Sequence, residues 1–199
     1  MKTNLIPRNT KFDAMFNERR REERLNKLIA EITVAFDGVS REDGVTLQEA
    51  KAIDDWKPFE ELQAARQLDT EQRWQDVPDE DLLASDSSLP FFDAKGFRYY
   101  LSAFMLCGLK DWENDSSGIL HSCVYNLLHE PQKSLRKSEP ASIVAKYSFT
   151  DVQCKAISRF LRFVVGEDDE FSTEERTILQ AVEKWEQFVK ESSSINEGI

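Results

Sequence analysis

Apolar side chains recur along this chain at three- and four-residue steps, and hardly anywhere at every second residue. From Phe12 to Phe36 the stripe Leu25, Leu28, Ile29, Ile32, Ala35 and Phe36 predicts one long helix. Just before it, Glu18 to Arg24 alternates arginines with acids, and Arg19 stands one turn from Glu23, as on a solvated helix face. Gly38 and Gly44 punctuate the turn that follows. Thr46-Leu-Gln-Glu49 spells a capping box, in which hydroxyl and carboxylate each bond the other residue's amide, and it opens a helix through about Trp56. Pro58 suits the first turn of another helix, running to about Trp74 with Phe59, Leu62, Ala65 and Trp74 inward. Pro78 starts a brief turn ending near Leu83, and Ser85 to Ser88 reads as a polar loop.

Asp93 stands where its carboxylate can cap a helix from Ala94 to about Leu109, burying Phe97, Leu101, Phe104, Met105 and Leu109. A second apolar helix spans about Gly118 to His129, with Leu120, Val124, Leu127 and Leu128 inward. Glu130 to Lys146, with Pro131, Pro140 and several lysines, reads as a long exposed connection. Thr150-Asp-Val-Gln153 is a second capping box, before a stripe of Ile157, Phe160, Leu161 and Val164 that Gly166 stops. Ser172-Thr-Glu-Glu175 is a third, before Ile178, Leu179, Val182, Trp185, Phe188 and Val189. The pattern predicts an all-α fold of six to eight helices in one domain, residues 12–190, between a flexible N-terminus, 1–11, and a flexible C-terminal tail, 191–199. Six aromatic residues between Phe91 and Phe104 make the helix of that block its expected centre.

Composition narrows the class. At 199 residues, 40% hydrophobic, the chain is long enough for a real core and too apolar for wholesale disorder. Its longest apolar runs fall far short of the roughly 20 residues a membrane span needs. Met1 to Pro7 lacks the apolar core of a secretory signal, so a cytoplasmic protein is expected. Cys107, Cys123 and Cys154 are odd in number and lie in apolar helical patterns, which predicts buried free thiols. The net charge of −11 is uneven: residues 46–93 hold thirteen acids against four bases, whereas residues 1–45 are nearly neutral. Such a surface repels nucleic-acid phosphates and attracts cations or basic proteins, though acidity also serves solubility alone.

Candidate chemistry is sparse. His121 and Cys123 fall on nearly opposite helix faces, and His121 and His129 lack zinc-site spacing. No G-x-S-x-G elbow, phosphate loop or G-x-G-x-x-G turn is present, and no cofactor or metal set is expected. Glu167 to Glu170 lacks the alternating ligands of a calcium loop and suits a helix dipole. Trp56, Trp74, Trp112 and Trp185 read as core anchors. The polar cluster with some shape is Glu49 and Asp54 on the second helix with Arg66 and Asp69 on the third, near Glu60. Packed antiparallel and buried, it is an ion-pair network that sets helix register. Opened into a cleft, the same carboxylates hold a divalent cation or act as a general base, with Arg66 steadying an anion.

In order along the chain stand Ala35-Phe-Asp-Gly-Val39, then Leu47-Gln-Glu-Ala50 with Asp54, then Ala65-Arg66-x-x-Asp69 and Trp74-x-Asp-Val-Pro78. Phe91-Phe-Asp-Ala-Lys-Gly-Phe-Arg-Tyr-Tyr-Leu101 and Phe149-Thr-x-x-Gln153 complete the series. Over about residues 25–165 it resembles an uncharacterised bacterial family of unknown function with the motifs A-F-x-G-V, A-R-x-x-D-x-x-x-x-W and F-x-D-x-x-G-F-R-x-Y-L. A proline commonly follows the last leucine in that family, where this chain has Ser102. The resemblance implies a small soluble bacterial protein and brings no reaction, ligand or active site. Three expectations follow. The first is a non-enzymatic interaction protein whose acidic 46–93 surface meets a basic protein partner, as an immunity protein or antitoxin masks a cationic toxin. The second is an enzyme or metal-binding protein with a carboxylate–arginine site. The third is a self-associating helical scaffold using any exposed aromatics of residues 89–105.

Overall fold

The stripes at helical spacing turn inward, and helices form where each stripe has a partner to bury against. A computed structural model describes residues 10–110, 112, 118–128, 140–167 and 175–196. Among the described residues the chain is all-α, with nine helices and no strand. They are α1 (Thr10–Ala35), α2 (Leu47–Asp54), α3 (Phe59–Arg66), α4 (Asp79–Leu83), α5 (Ala94–Lys110), α6 (Ile119–Leu128), α7 (Pro140–Tyr147), α8 (Asp151–Glu167) and α9 (Glu175–Asn196). Two 3₁₀ turns, Trp74–Asp76 and Leu89–Phe91, join them.

One continuous hydrophobic core runs from Leu28 and Ile32 of α1, and Phe36 just after it, to Ile178, Val182 and Trp185 of α9. α5 buries twelve of its seventeen residues and packs on α1, α4, α6, α7 and the 3₁₀ turn at Trp74, while α8 packs on α1 and α9. Aromatic rings knit these elements: Phe92 stacks on Tyr100 with centroids 4.8 Å apart, and Phe97 stacks on Tyr147 at 4.0 Å. Phe149, from the α7–α8 turn, touches Phe36, Phe97, Tyr147 and Trp185. Two capping boxes form as the sequence predicts. Thr46 and Glu49 exchange bonds of 3.2 and 3.3 Å at α2, and Thr150 and Gln153 bonds of 3.0 and 3.3 Å at α8. The third box lies partly outside the described residues, as do His129, Glu130 to Glu139 and Asp168 to Glu170.

The structure corrects the sequence reading at four places. Part of the expected connection, Pro140–Tyr147, is a helix: proline opens it, and Ile143, Val144 and Tyr147 bury themselves in the core. That adds the ninth helix. α3 stops at Arg66 rather than near Trp74, because residues 67–73 turn back toward α2 and deliver Trp74 to the core, its indole N–H donating to the Phe36 carbonyl at 2.8 Å. The polar loop at Ser85 to Ser88 forms as expected, with Ser85 and Ser88 themselves buried. Gly166 lies within α8 rather than ending it. Phe59 and Trp56, expected inward, point to solvent, 66% and 92% exposed.

Tyr147 tests whether α7 belongs to the core. Its ring is buried and stacked on Phe97. Tyr147→Ala should lower stability by about 3–5 kcal/mol in chemical denaturation, as expected for deleting a buried aromatic ring. A loss below about 1 kcal/mol, the range of a surface change, would show that α7 does not pack there.

Candidate functional site

Residues 41–45 belong to the link between α1 and α2 and carry backbone groups outside any helix. Side chains from distant segments bond them instead. Arg66, at the last turn of α3, donates from one nitrogen to the Glu49 carboxylate at 2.6 Å. Its other terminal nitrogen donates to the carbonyls of Asp43 and Gly44 at 2.6 and 3.0 Å. Asp69 accepts from the Gln48 amide at 2.8 Å, satisfying a free N–H in the first turn of α2. Asp93 caps α5 through the Gly96 amide at 2.8 Å and also accepts from the Val45 amide at 3.1 Å. Lys95 adds ion pairs to Glu42 at 2.8 Å and Asp43 at 2.5 Å, which hold the Asp43 carboxyl below its usual range and raise the Lys95 ammonium above its own.

Three of the four sequence-selected residues, Glu49, Arg66 and Asp69, thus meet at the head of α2. Asp54 does not join them: it sits at the far end of α2 and accepts from the Ser87 hydroxyl at 3.1 Å. Glu60 is exposed and apart. Asp69 is half-buried, and its carboxyl is pushed above the ordinary range by desolvation. The Thr46 hydroxyl and the Gln48 amide oppose that rise, and the charge of Glu71 adds to it.

A second polar network adjoins the first. Arg41 donates to the Tyr100 hydroxyl at 2.7 Å and to Glu71 at 3.1 Å, and Tyr100 donates to the same Glu71 oxygen at 2.7 Å. Burial raises both the Tyr99 and Tyr100 hydroxyls, so each stays protonated at neutral pH. Residue spacing does not announce this network, because Arg41, Glu71 and Tyr100 lie on three unrelated segments. A local signal is Tyr100 on the buried side of α5, whose hydroxyl needs a partner; the buried hydroxyl of its neighbour Tyr99 has none among the described residues.

Elsewhere the chemistry is quiet. All three cysteines are buried, and burial, then the charge of Asp151, pushes the Cys154 thiol up to about 12. Among the described residues no group of three or more His, Cys, Asp or Glu is arranged to hold a metal ion. Between α1 and α8 a groove of about 380 Å³ lies over Leu28 and Phe163, rimmed by Arg24, Lys27, Arg159 and Arg162. Its arginines are paired with Glu167, Glu31 and Glu186. No helix among the described residues is long and apolar enough to cross a membrane. A dimer face built from residues 89–105 would have little to offer, since Phe92, Phe97, Tyr99, Tyr100 and Phe104 are all buried.

The residues that converge on the 41–49 segment, Arg66, Asp69, Asp93 and Lys95, all lie within one stretch of the chain that a family model matches. The chain belongs to DUF6714, a family of unknown function. The matched region is residues 24–189, from the middle of α1 into α9. No curated protein and no solved structure matches the chain. In this DUF6714 chain the motif residues have visible structural duties. Gly38 takes the left-handed conformation, φ +70°, in the turn after α1 that the Val39 amide closes on the Phe36 carbonyl. Arg66 and Asp69 brace the head of α2, and Trp74 holds the end of α1. Asp93 and Gly96 clamp the loop to α5. Ser102 bonds back to the Tyr99 carbonyl at 3.1 Å inside an unbroken helix.

Two measurements test this clasp. A Cβ on Gly96 would lie 2.5 Å from the Val45 carbonyl oxygen, against backbone that cannot rotate away. Helix propensity alone favours alanine by about 1 kcal/mol, so the sign of the Gly96→Ala effect is decisive. A net loss of about 2 kcal/mol is expected, lowering Tm by about 4–8 °C; a gain would mean that the loop does not contact α5.

Asp69 yields a pH signature. Because its folded-state carboxyl is raised, its contribution to stability is full below the unfolded value near 3.8 and is lost as pH climbs through the folded value. Asp69→Asn keeps an acceptor for the Gln48 amide and removes the charge. Its Tm relative to the native chain should therefore rise between about pH 3 and pH 7. A difference that stays flat or falls over that range would contradict a desolvated carboxylate.

Proposed function

We propose that the chain is a non-enzymatic interaction protein whose acidic 46–93 segment receives a basic protein partner, as an immunity protein or antitoxin masks a cationic toxin. The observation that carries this reading is the division of labour among its carboxylates. Glu49, Asp69, Glu71 and Asp93 are engaged by internal donors. Asp55, Glu60, Asp76 and Glu80 are exposed, and among the described residues no cation lies within ion-pair distance of them. Carboxylates with no internal partner create a field that speeds encounter with a cationic surface and turns nucleic acid away. In this reading α5 is the aromatic-rich centre of the fold, a rigid frame that holds the acidic segment in place.

The test is a low-salt pull-down with the native chain and with a variant carrying Asp55→Asn, Glu60→Gln, Asp76→Asn and Glu80→Gln. A basic protein should be retained by the native chain, released at high salt, and lost from the variant. Equal capture by both chains, or capture indifferent to salt, would defeat the reading.

A carboxylate–arginine enzyme or metal site keeps one observation in its favour: the Asp69 carboxyl is raised by burial beside Glu71, as proton-transferring carboxylates often are. Thermal melting with Mg²⁺, Mn²⁺ and Ca²⁺ separates the two readings. A cation-specific rise in Tm that Asp69→Asn abolishes would favour the site over the docking surface.

A further inference from the structure

Helix α2 ends on a residue that local energetics would not choose. Its last turn closes with the Trp56 amide donating to the Ile53 carbonyl at 3.0 Å and the Lys57 amide donating to the Ala52 carbonyl at 2.9 Å. This double bond pattern puts the residue after the C-cap in the left-handed region, the usual place of glycine. Trp56 occupies it with φ +56°. For a bulky L residue that conformation costs about 1–2 kcal/mol. The indole recovers nothing by packing, because Trp56 is 92% exposed.

The surroundings supply a second, independent observation. Phe59, at the first position of α3, is 66% exposed, and three peptide links keep its Cα within roughly 11 Å of that of Trp56. Four carboxylates flank the two rings in sequence: Asp54, Asp55, Glu60 and Glu61. Of these, only Glu61 has a cation within ion-pair distance among the described residues, Lys57 at 3.6 Å, and that pair is itself half exposed. Bare aromatic faces beside carboxylates without counter-ions complement a planar cation, which stacks on indole and forks its hydrogen bonds to carboxylate oxygens. Tryptophan and arginine are also the side chains that most often carry interface energy.

We propose that the α2–α3 corner is the docking point for an arginine-bearing segment of a basic partner protein, with Trp56 as the anchor beneath a guanidinium and Asp55 and Glu60 as its counter-charges. This rests on the interaction reading above and narrows it to one corner of the acidic segment.

The test uses the full chain and acetylated tetra-arginine amide as probe, with acetylated tetra-glutamate amide as control. The four indole N–H resonances are followed by NMR, that of Trp56 being identified by its loss in Trp56→Phe. Tetra-arginine should shift the Trp56 resonance saturably, leave those of Trp74, Trp112 and Trp185 nearly still, and lose roughly tenfold in affinity in Trp56→Ala. Asp55→Asn with Glu60→Gln should weaken binding and flatten its salt dependence. Trp56→Gly is the decisive companion: relieved of left-handed strain, it should melt at the same or a higher temperature while no longer binding. A marked fall in its Tm would make the indole a folding element and overturn the proposal. Binding that leaves Trp56 unmoved would overturn this docking point while the wider acidic-surface reading stood. Absence of peptide binding would also overturn it, and the wider reading would then be decided by the pull-down alone.

Discussion

The backbone between α1 and α2 must find hydrogen-bond partners without a helix to provide them, and much of the architecture follows from that need. An unpaired backbone group in a partly buried place is costly, so side chains from elsewhere are drawn to it. Arg66 reaches the carbonyls of Asp43 and Gly44, Asp93 reaches the Val45 amide, and Asp69 reaches the Gln48 amide. These contacts tie the α2–α3 pair to the start of α5. They also require two backbones to touch: a Cβ on Gly44 would meet the Gly96 nitrogen at 2.6 Å, and one on Gly96 would meet the Val45 carbonyl at 2.5 Å. Few residue types satisfy such a junction, which accounts physically for Arg66, Asp69, Asp93 and Gly96 in this chain.

The polar residues therefore fall into two groups. One group, in the clasp and in the adjoining Arg41–Tyr100–Glu71 network, is turned inward and bonded to the chain itself. The other, Asp55, Glu60, Asp76 and Glu80 of the 46–93 segment, is exposed and, among the described residues, has no cation within ion-pair distance; the exposed rings of Trp56 and Phe59 stand near Asp55 and Glu60 in the chain. Folding accounts for the first group. It does not account for the second, and Trp56 works against it by holding a tryptophan where glycine would be easier. Functional meaning is best sought where the structure gives a side chain nothing to do.

Much of the helical framework was legible in the residues because its cues are local. Capping boxes at Thr46 and Thr150, Asp93 ahead of α5, and the stripe of Leu28, Ile32 and Phe36 depend on neighbours within two turns. α7 was not, because prolines and lysines around a short apolar patch resemble a loop until Tyr147 is seen against Phe97. The end of α3 was hidden for a similar reason: nothing near Arg66 stops a helix, but Asp69 and Trp74 are claimed by α2 and α1. Of the candidate cluster, Glu49, Arg66 and Asp69 were brought together by an antiparallel packing that spacing could suggest, whereas Asp54 lay one helix length away.

Residue order alone thus determined helix type, the capped starts, and the uneven charge, since each is a property of adjacent or nearby positions. Tertiary structure alone decided which acids are neutralised and which face solvent, which tryptophans are core, and which motif residues converge on one loop. Those outcomes depend on contacts between segments tens of residues apart, and no local pattern encodes the distance between Arg66 and Gly44 or the exposure of Trp56.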